Sequence, residues 1–304
     1  MEIKKISIVG CGALGIMFAS HMLKKLPHSQ LQFIADRERI TRYQNAEFYA
    51  NGVRQAFNFV GPDVITQPSD LVIFAVKYNN LHDAIRIAKN HIDENTIILS
   101  FLNGISSEGI IGNTYNPEKI IYSMVAGMDA TKAGYSVSFT KMGYVAFGSL
   151  GNNSLEDINK LSEFLDRVQI KYEIHEDIMK AIWWKFILNV GINQTSALLK
   201  STYGMFQTSG YAENIMRMAM QEAYEISQRV SIGLNKEDLD NCVKIMKTLS
   251  PDGKTSMHQD IEAGRPTEVD MFAGSVIELG EKYNIPVPIN TFLFNAIKAL
   301  ESRF

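Results

Sequence analysis

Cysteine is scarce in this chain. Its 304 residues include two, Cys11 and Cys242, far apart in sequence. Two such thiols make neither a disulfide framework nor a zinc-ligand spacing, so a reducing compartment suits the chain. Basic runs are missing as well. The formal net charge is -3 and the pI about 6.1, which gives no electrostatic reason to expect a nucleic-acid partner. No H-E-x-x-H, paired Cys/His cluster or G-x-S-x-G occurs, so metal hydrolysis and a hydrolase nucleophile elbow find no support, and no metal site is expected. The six histidines are scattered, and His258 alone lies near a candidate site. A bilayer-length apolar run is also lacking. The segment after the basic MEIKK start, ISIVGCGALGIMFAS, is short and is broken by Gly10, Gly12 and Gly15. The chain is therefore expected to be cytoplasmic, without a signal peptide or a membrane partner.

The composition, 46% hydrophobic and 21% charged, fits a globular protein of about two domains. ISIVGCGALG sets the β-branched run Ile6, Ile8, Val9 directly before G-x-G-x-x-G at Gly10, Gly12 and Gly15, and a helical pattern follows at once. In such a turn the first glycine makes the bend and the second lets the backbone approach a pyrophosphate. The third lets the helix pack closely on its strand, with the helix N-terminus facing the phosphates. LQFIAD, DLVIFAVK, TIILSFLNG and KIIYSMVA continue as strands two to five, with a helix at HDAIRIAKNHI. Near-continuous apolar runs in the early strands predict a parallel sheet buried on both faces. YSVSFT and GYVAFGSL then read as antiparallel strands, and a helix at LEDINKLSEFLDRV and a strand at IKYEIHE finish the sheet. Asp36 lies about 20 residues beyond Gly15, where an acid binds the ribose 2′-hydroxyl of NAD. Arg37 and Arg39 follow and could clamp a 2′-phosphate instead, with Arg37 also drawn to the adjacent Asp36. A plain loop or N-cap role is the simplest alternative for Asp36.

The expected boundary falls near Asp177. Residues 1–177 form an α/β, Rossmann-type dinucleotide-binding domain, and 178–304 an all-α domain with helices at 178–200, 211–232, 235–248, 268–283 and 291–301. A cleft between the two is the expected place for substrate to meet nicotinamide. The first helical segment, IMKAIWWKFILNVGINQTSALL, is apolar nearly all round, yet Lys185, Asn189 and Asn193 interrupt it at steps of four. At about 100° per residue such steps stay roughly 40° apart, so the three make one polar row. A carbonyl accepting hydride needs a proton donor beside it, and a desolvated ammonium has a lowered pKa suited to that task. A snorkelling lysine with two interhelical amides is the bland alternative. Further on, TSMHQDIEAGRPTEVD carries Ser256, His258, Asp260 and Glu268, while Thr267 and Asp270 read as a near-capping-box start for the next helix.

These segments together resemble the ketopantoate reductase (2-dehydropantoate 2-reductase) family over essentially the whole chain. The likeness rests on GCGALG at 10–15, AVK ending at Lys77, LNG at 102–104, WKFILNVGIN at 184–193 and SMHQDIEAGRPTEVD at 256–270. The last two are much more specific than the glycine motif. The resemblance implies reduction of a branched 2-oxo acid, usually with NADPH, on the path to pantothenate. It implies Lys185 as general acid and Asn189, Asn193 and Ser256 as substrate contacts. Lys77, Asn103, Ala130 and Glu268 become cofactor-side residues, with Asn103 touching substrate too. The turn Gly10, Cys11, Gly12, Ala13, Leu14, Gly15 completes the cofactor site with Asp36 and Arg37.

Three departures stand out. The family usually reads Ile-Asn-Pro-Leu-Thr where this chain has Ile192-Asn193-Gln194-Thr195-Ser196, and Asn-Gly where it has Tyr203-Gly204. The strand-end Arg of NADPH enzymes is replaced by Asp36, a local leaning to NADH. An NADH-dependent D-2-hydroxyacid dehydrogenase acting on another branched or aromatic 2-oxo acid is the alternative. A non-catalytic dinucleotide sensor is a third, disfavoured by the intact row on the first long helix. Monomer and homodimer both remain open.

Overall fold

The computed structural model describes residues 2–64, 67–151 and 153–304. The chain forms two compact units: Met1–Leu102 with Ser106–Ile178, and Met179–Phe304 joined by the short loop Asn103–Ile105.

The strands of the first unit are β1 (Ile6–Val9), β2 (Leu31–Ile34), β3 (Phe48–Ala50), β4 (Val53–Gln55), β5 (Asn58–Val60) and β6 (Leu71–Phe74). They continue with β7 (Ile97–Ser100), β8 (Ile120–Met128), β9 (Thr131–Ala133), β10 (Ser136–Ser138), β11 (Met142–Gly148) and β12 (Tyr172–Ile174). Its helices are α1 (Ala13–Met22), α2 (Arg37–Gln44), α3 (Leu81–Ala88), α4 (Ser107–Gly112) and α5 (Leu155–Arg167). An eight-stranded sheet runs β12-β11-β8-β7-β6-β1-β2-β5. Every pairing in it is parallel except that between β8 and β11. Six of its strands, in the order β5-β2-β1-β6-β7-β8, follow the doubly wound pattern, with the chain reversing direction of growth at β1 and β6. Every residue of β1, β6 and β7 is buried, Ser7 and Ser100 included, as central strands of a parallel sheet covered on both faces require.

Two features differ from the sequence expectation. β5 is a further parallel strand between the second and third runs. YSVSFT does not join the large sheet. Its strand β10 lies in a separate four-stranded sheet, β4-β3-β10-β9, antiparallel to β9 and parallel to β3. Phe48 of that small sheet and Tyr135, between β9 and β10, join Phe33, Tyr43, Phe57 and Phe59 in one aromatic cluster.

The second unit is helical: α6 (Ile178–Leu199), α7 (Tyr203–Thr208), α8 (Gly210–Arg229), α9 (Lys236–Thr248), α10 (Ser256–Glu262), α11 (Ser275–Tyr283) and α12 (Pro288–Glu301). α6 begins in the first unit with Ile178 and otherwise belongs to the second. The short α7 and α10 were not foreseen. α10 is started by Thr255, whose hydroxyl accepts from His258 N at 3.1 Å. The proposed capping box at 267–270 does not form. Thr267 donates its hydroxyl to Glu301 Oε1 at 2.6 Å, and Asp270 pairs with Lys298 at 2.6 Å. A π-helical segment, Asp270–Gly274, leads into α11 instead. Close packing of α6 on α8 depends on Gly191, where a Cβ would stand 2.4 Å from Met220 Cγ.

Candidate active site

In the first unit the register fixes where the residues expected on the nucleotide side emerge. Val9 lies opposite Ile34 and Phe74 on its two neighbours, so the segments that follow β1, β2 and β6 leave at one edge of the sheet. These segments carry the glycine turn, Asp36 and Lys77, and β1 and β6 flank the switch point where open α/β sheets bind ligands. Ala130 follows β8 at the same edge, packed against the core.

The turn is backbone-built. Gly10 has φ +115°, and a Cβ there would meet Ala75 O at 2.5 Å. At Gly15 a Cβ would stand 2.0 Å from Gly10 O, so α1 can lie against the turn only with hydrogen in that place. Over Gly12, by contrast, the nearest atom to an added Cβ is Ala75 O at 3.6 Å. Gly12 is also the N-cap of α1, and no side chain caps the helix. First-turn N–H groups without intrahelical partners beside an open surface fit a pyrophosphate. The Cys11 thiol is pushed up to about 12 by burial, which leaves it a packing residue and no nucleophile.

Asp36 caps α2: its Oδ1 accepts from Arg39 N at 2.7 Å, and its Oδ2 lies 3.2 Å from Arg39 Nη1. Arg37 does not pair with Asp36 as expected. It reaches Asp63 at 2.8 Å, with both side chains exposed, while the Asp36 carboxylate is held by Arg39.

In the second unit the polar row of α6 is joined to two distant segments. Lys185 Nζ donates to Asn103 Oδ1 at 2.9 Å, and Asn103 Nδ2 donates to Glu268 Oε2 at 3.3 Å. Burial pushes the Lys185 ammonium down to about 8, against the pull of the Glu268 carboxylate. One turn on, Asn193 Nδ2 donates to Asn189 Oδ1 at 3.0 Å, while Asn193 Oδ1 accepts from Ser256 Oγ at 3.1 Å. Lys185, Asn103, Glu268, Asn189, Asn193 and Ser256 therefore form two hydrogen-bonded groups along one face of α6. Such a face can donate a proton at one end and orient polar groups at the other.

The tryptophans play other parts. Trp184 Nε1 donates to Asp238 O at 3.0 Å, and Trp183 packs its ring on Phe186. Nor is His258 a catalyst by its setting. It is buried with Nε2 3.3 Å from Glu262 Oε1, and desolvation lowers its pKa despite that carboxylate. Asp260 accepts from Arg265 Nε at 2.9 Å.

The loop that delivers Asn103 has support that sequence reasoning missed. Ser100 Oγ accepts from Leu102 N at 3.3 Å and donates to Ser107 Oγ at 2.8 Å, which in turn donates to Glu108 at 2.8 Å. Burial raises Glu108 to about 7. Nothing in a lone SEGIIG segment signals such a network. Among the described residues no helix is long and apolar enough to cross a membrane, and no group of three or more His, Cys, Asp or Glu could hold a metal ion.

Comparison with known proteins bears on both units. The family described as ketopantoate reductase PanE/ApbA matches residues 6–152, and its C-terminal counterpart matches residues 177–301. The chain belongs to the ketopantoate reductase family. It is a pyridine-nucleotide oxidoreductase of the 2-oxo acid reductase type. The 2-dehydropantoate 2-reductase of Aquifex aeolicus is 24% identical over 305 residues, covering 98% of this chain and 97% of that protein. The Pyrococcus horikoshii enzyme of the same name is 28% identical over 235 residues, 77% of this chain and 76% of that one. Two solved structures share the fold. A D-mandelate dehydrogenase in ternary complex with NADH and anilino(oxo)acetate superposes with a TM-score of 0.87 at 23% identity, over 98% of this chain and 99% of that one. Dimeric ketopantoate reductase from Staphylococcus aureus gives 0.81 at 21%, again over 98% and 99%.

Against the usual ketopantoate reductase pattern, the departures after Asn193 have structural explanations. Gln194, Thr195 and Ser196 are fully buried. Gln194 Nε2 reaches Asn290 Oδ1 at 3.1 Å, and Asn290 in turn donates to Glu222 at 2.7 Å, tying α6 to α12 and α8. Ser196 Oγ meets Thr255 Oγ1 at 2.6 Å, which fixes the cap of α10 and so the position of Ser256. Tyr203 starts α7 with its N–H on Gly253 O at 3.0 Å, and its ring lies where a Gly253 Cβ would come within 2.8 Å.

Proposed function

We propose that this chain is a 2-dehydropantoate 2-reductase that converts ketopantoate to pantoate in the cytoplasm, within pantothenate biosynthesis. The observation that carries this reading is the half-buried Lys185, hydrogen-bonded to Asn103 and with its desolvated ammonium pushed down to about 8. When bound, the nicotinamide supplies a hydride to the 2-oxo carbon. Lys185 then donates a proton to the oxygen on which charge develops, a role suited to an acid whose pKa lies near neutrality. Asn103 orients the ammonium through its Oδ1, and Glu268 orients Asn103. Asn189 accepts from Asn193 through Oδ1, which leaves its Nδ2 to donate to a substrate oxygen. Ser256 and Asn193, already bonded to each other, would hold the carboxylate end. In the first unit Gly10, Gly12 and Gly15, with Cys11, Ala13 and Leu14 between them, would cradle the pyrophosphate. Lys77 and Ala130 would line the same edge, and Asp36 and Arg37 would face the adenosine ribose.

A second reading has its own support. Asp36 stands at the end of β2, where a carboxylate favours a ribose 2′-hydroxyl and repels a 2′-phosphate. The D-mandelate dehydrogenase of like fold was solved with NADH and an aryl-bearing oxo acid. On this reading the chain is an NADH-dependent D-2-hydroxyacid dehydrogenase for a bulkier or aromatic 2-oxo acid. A panel of branched and aryl 2-oxo acids, each assayed with NADH and with NADPH, separates the two. The first reading expects the highest kcat/KM for ketopantoate with NADPH. Preference for an aryl substrate with NADH selects the second, and no reduction of any 2-oxo acid defeats both. Asp36→Ser should shift the ratio of specificity constants toward NADPH. An unchanged ratio makes Asp36 a helix cap alone.

A further inference from the structure

Lys132 occupies a position that a lysine rarely takes. It lies on β9, directly opposite Val137 of β10. Residues directly opposite in an antiparallel pair share a face. Val137 is buried in the core of the first unit, whereas the flanking Thr131, Ala133, Ser136 and Ser138 are exposed. The small sheet thus turns one ammonium toward the protein interior, which is costly without a compensating acceptor. One acceptor lies in the glycine turn itself. Lys132 Nζ donates to Cys11 O at 2.7 Å across a sequence separation of 121 residues. The ring of Tyr135 lies 6.0 Å from the ammonium and helps to hold it there.

Cys11 O belongs to the peptide that contributes the Gly12 N–H. In a trans peptide the carbonyl and the N–H point in opposite directions, and the described residues contain no cis bond. A donor on Cys11 O therefore fixes the peptide plane and aims the Gly12 N–H the other way. Polarising the carbonyl also strengthens that N–H as a donor. Gly12 is the N-cap of α1, without a side-chain cap, so this peptide opens the anion-binding end of the helix.

We propose that Lys132 is a dinucleotide-positioning residue, which sets the Cys11–Gly12 peptide for the pyrophosphate and adds positive charge within a Debye length of it. This inference rests on the proposed use of a nicotinamide dinucleotide. Because the pyrophosphate is common to both cofactors, NADH and NADPH should be affected alike.

The test is a fluorescence titration of NADH and of NADPH into the wild-type protein and into Lys132→Met and Lys132→Arg, with thermal midpoints and steady-state constants measured alongside. Lys132→Met should raise both dissociation constants about tenfold, the worth of a charge-assisted hydrogen bond. Its affinity should also depend less steeply on salt than that of the wild type. KM for the 2-oxo acid and kcat should stay within about twofold, and Lys132→Arg should restore most of the affinity. Should Met lower the thermal midpoint, Lys132→Gln, too short to reach Cys11 O yet polar, should show the same loss of affinity. Unchanged dissociation constants in Lys132→Met would overturn the assignment. So would a loss confined to NADPH, which would put the ammonium at the 2′-phosphate, or a loss that Arg does not restore. A wild-type protein that binds neither dinucleotide would instead end the proposed function.

Discussion

The glycine turn of the first unit offers backbone N–H groups, whereas the row on α6 offers side chains, and the two respond differently to substitution. In the turn, the proposed function and the fold share the same atoms. Gly10 and Gly15 are required because carbonyl oxygens already stand where a Cβ would go. On α6 the helix backbone is satisfied by its own ladder, and Lys185, Asn189 and Asn193 project from a scaffold that does not need them. A site made of backbone cannot be altered without altering the fold, while one made of side chains can be emptied and leave the fold standing.

The strongest way to break this contrast is Gly15→Ala. Its Cβ would lie 2.0 Å from Gly10 O, so the substitution should cost more than about 4 kcal/mol of stability and abolish dinucleotide binding together. Chemical denaturation and a cofactor titration check both, and retained stability with binding lost would undo the claim that the two share atoms. Lys185→Ala is the opposite case. It should slow the chemical step by about two to four orders of magnitude, the usual worth of a general acid. Dinucleotide affinity should stay within about twofold of wild type, as measured by titration.

Thermal stability should not fall in that variant. The folded-state pKa of about 8 lies below the ordinary 10.5, so folding weakens the hold on the proton. That cost is complete below about pH 8 and fades as pH rises toward 10.5. Removing the ammonium at neutral pH therefore removes a penalty, and a lower thermal midpoint for the variant at pH 7 would contradict this balance. Asn193→Ala sharpens the comparison at smaller scale. It should lower kcat/KM for the 2-oxo acid by a factor equivalent to about 1–3 kcal/mol, because it unties both Asn189 and Ser256. An unchanged specificity constant would make Asn193 an interhelical link only.

Legibility in the sequence followed the same division. GCGALG announced its turn because Gly10 and Gly15 answer local backbone constraints while Gly12 leaves the surface open, and the α6 row was visible because steps of four stay on one helix face. The partners of Lys185 were not visible from the residues alone. Asn103 is 82 residues away, and only the family resemblance brought it into the site; Glu268 was noted as a polar residue of its own segment, without a link to Lys185. Lys132 was missed for the same reason, since no local spacing links it to Cys11. β5 went unread because Asn58–Val60 is short and partly exposed, so its apolar pattern is weak. The reading of Thr267 and Asp270 as a capping box failed because tertiary partners, Glu301 and Lys298, took the groups that local geometry would have used.

The pH dependence of kcat/KM for 2-oxo acid reduction tests the central claim most directly, because it reports the ionisation of the free enzyme's essential acid. Lys185 donates only when protonated, and its pKa is about 8. The wild-type profile should therefore be level below that pH and fall about tenfold per unit above it, and this fall should be missing from the residual activity of Lys185→Ala. A wild-type profile that stays level to about pH 10, or the same fall in the alanine variant, would contradict Lys185 as the proton donor.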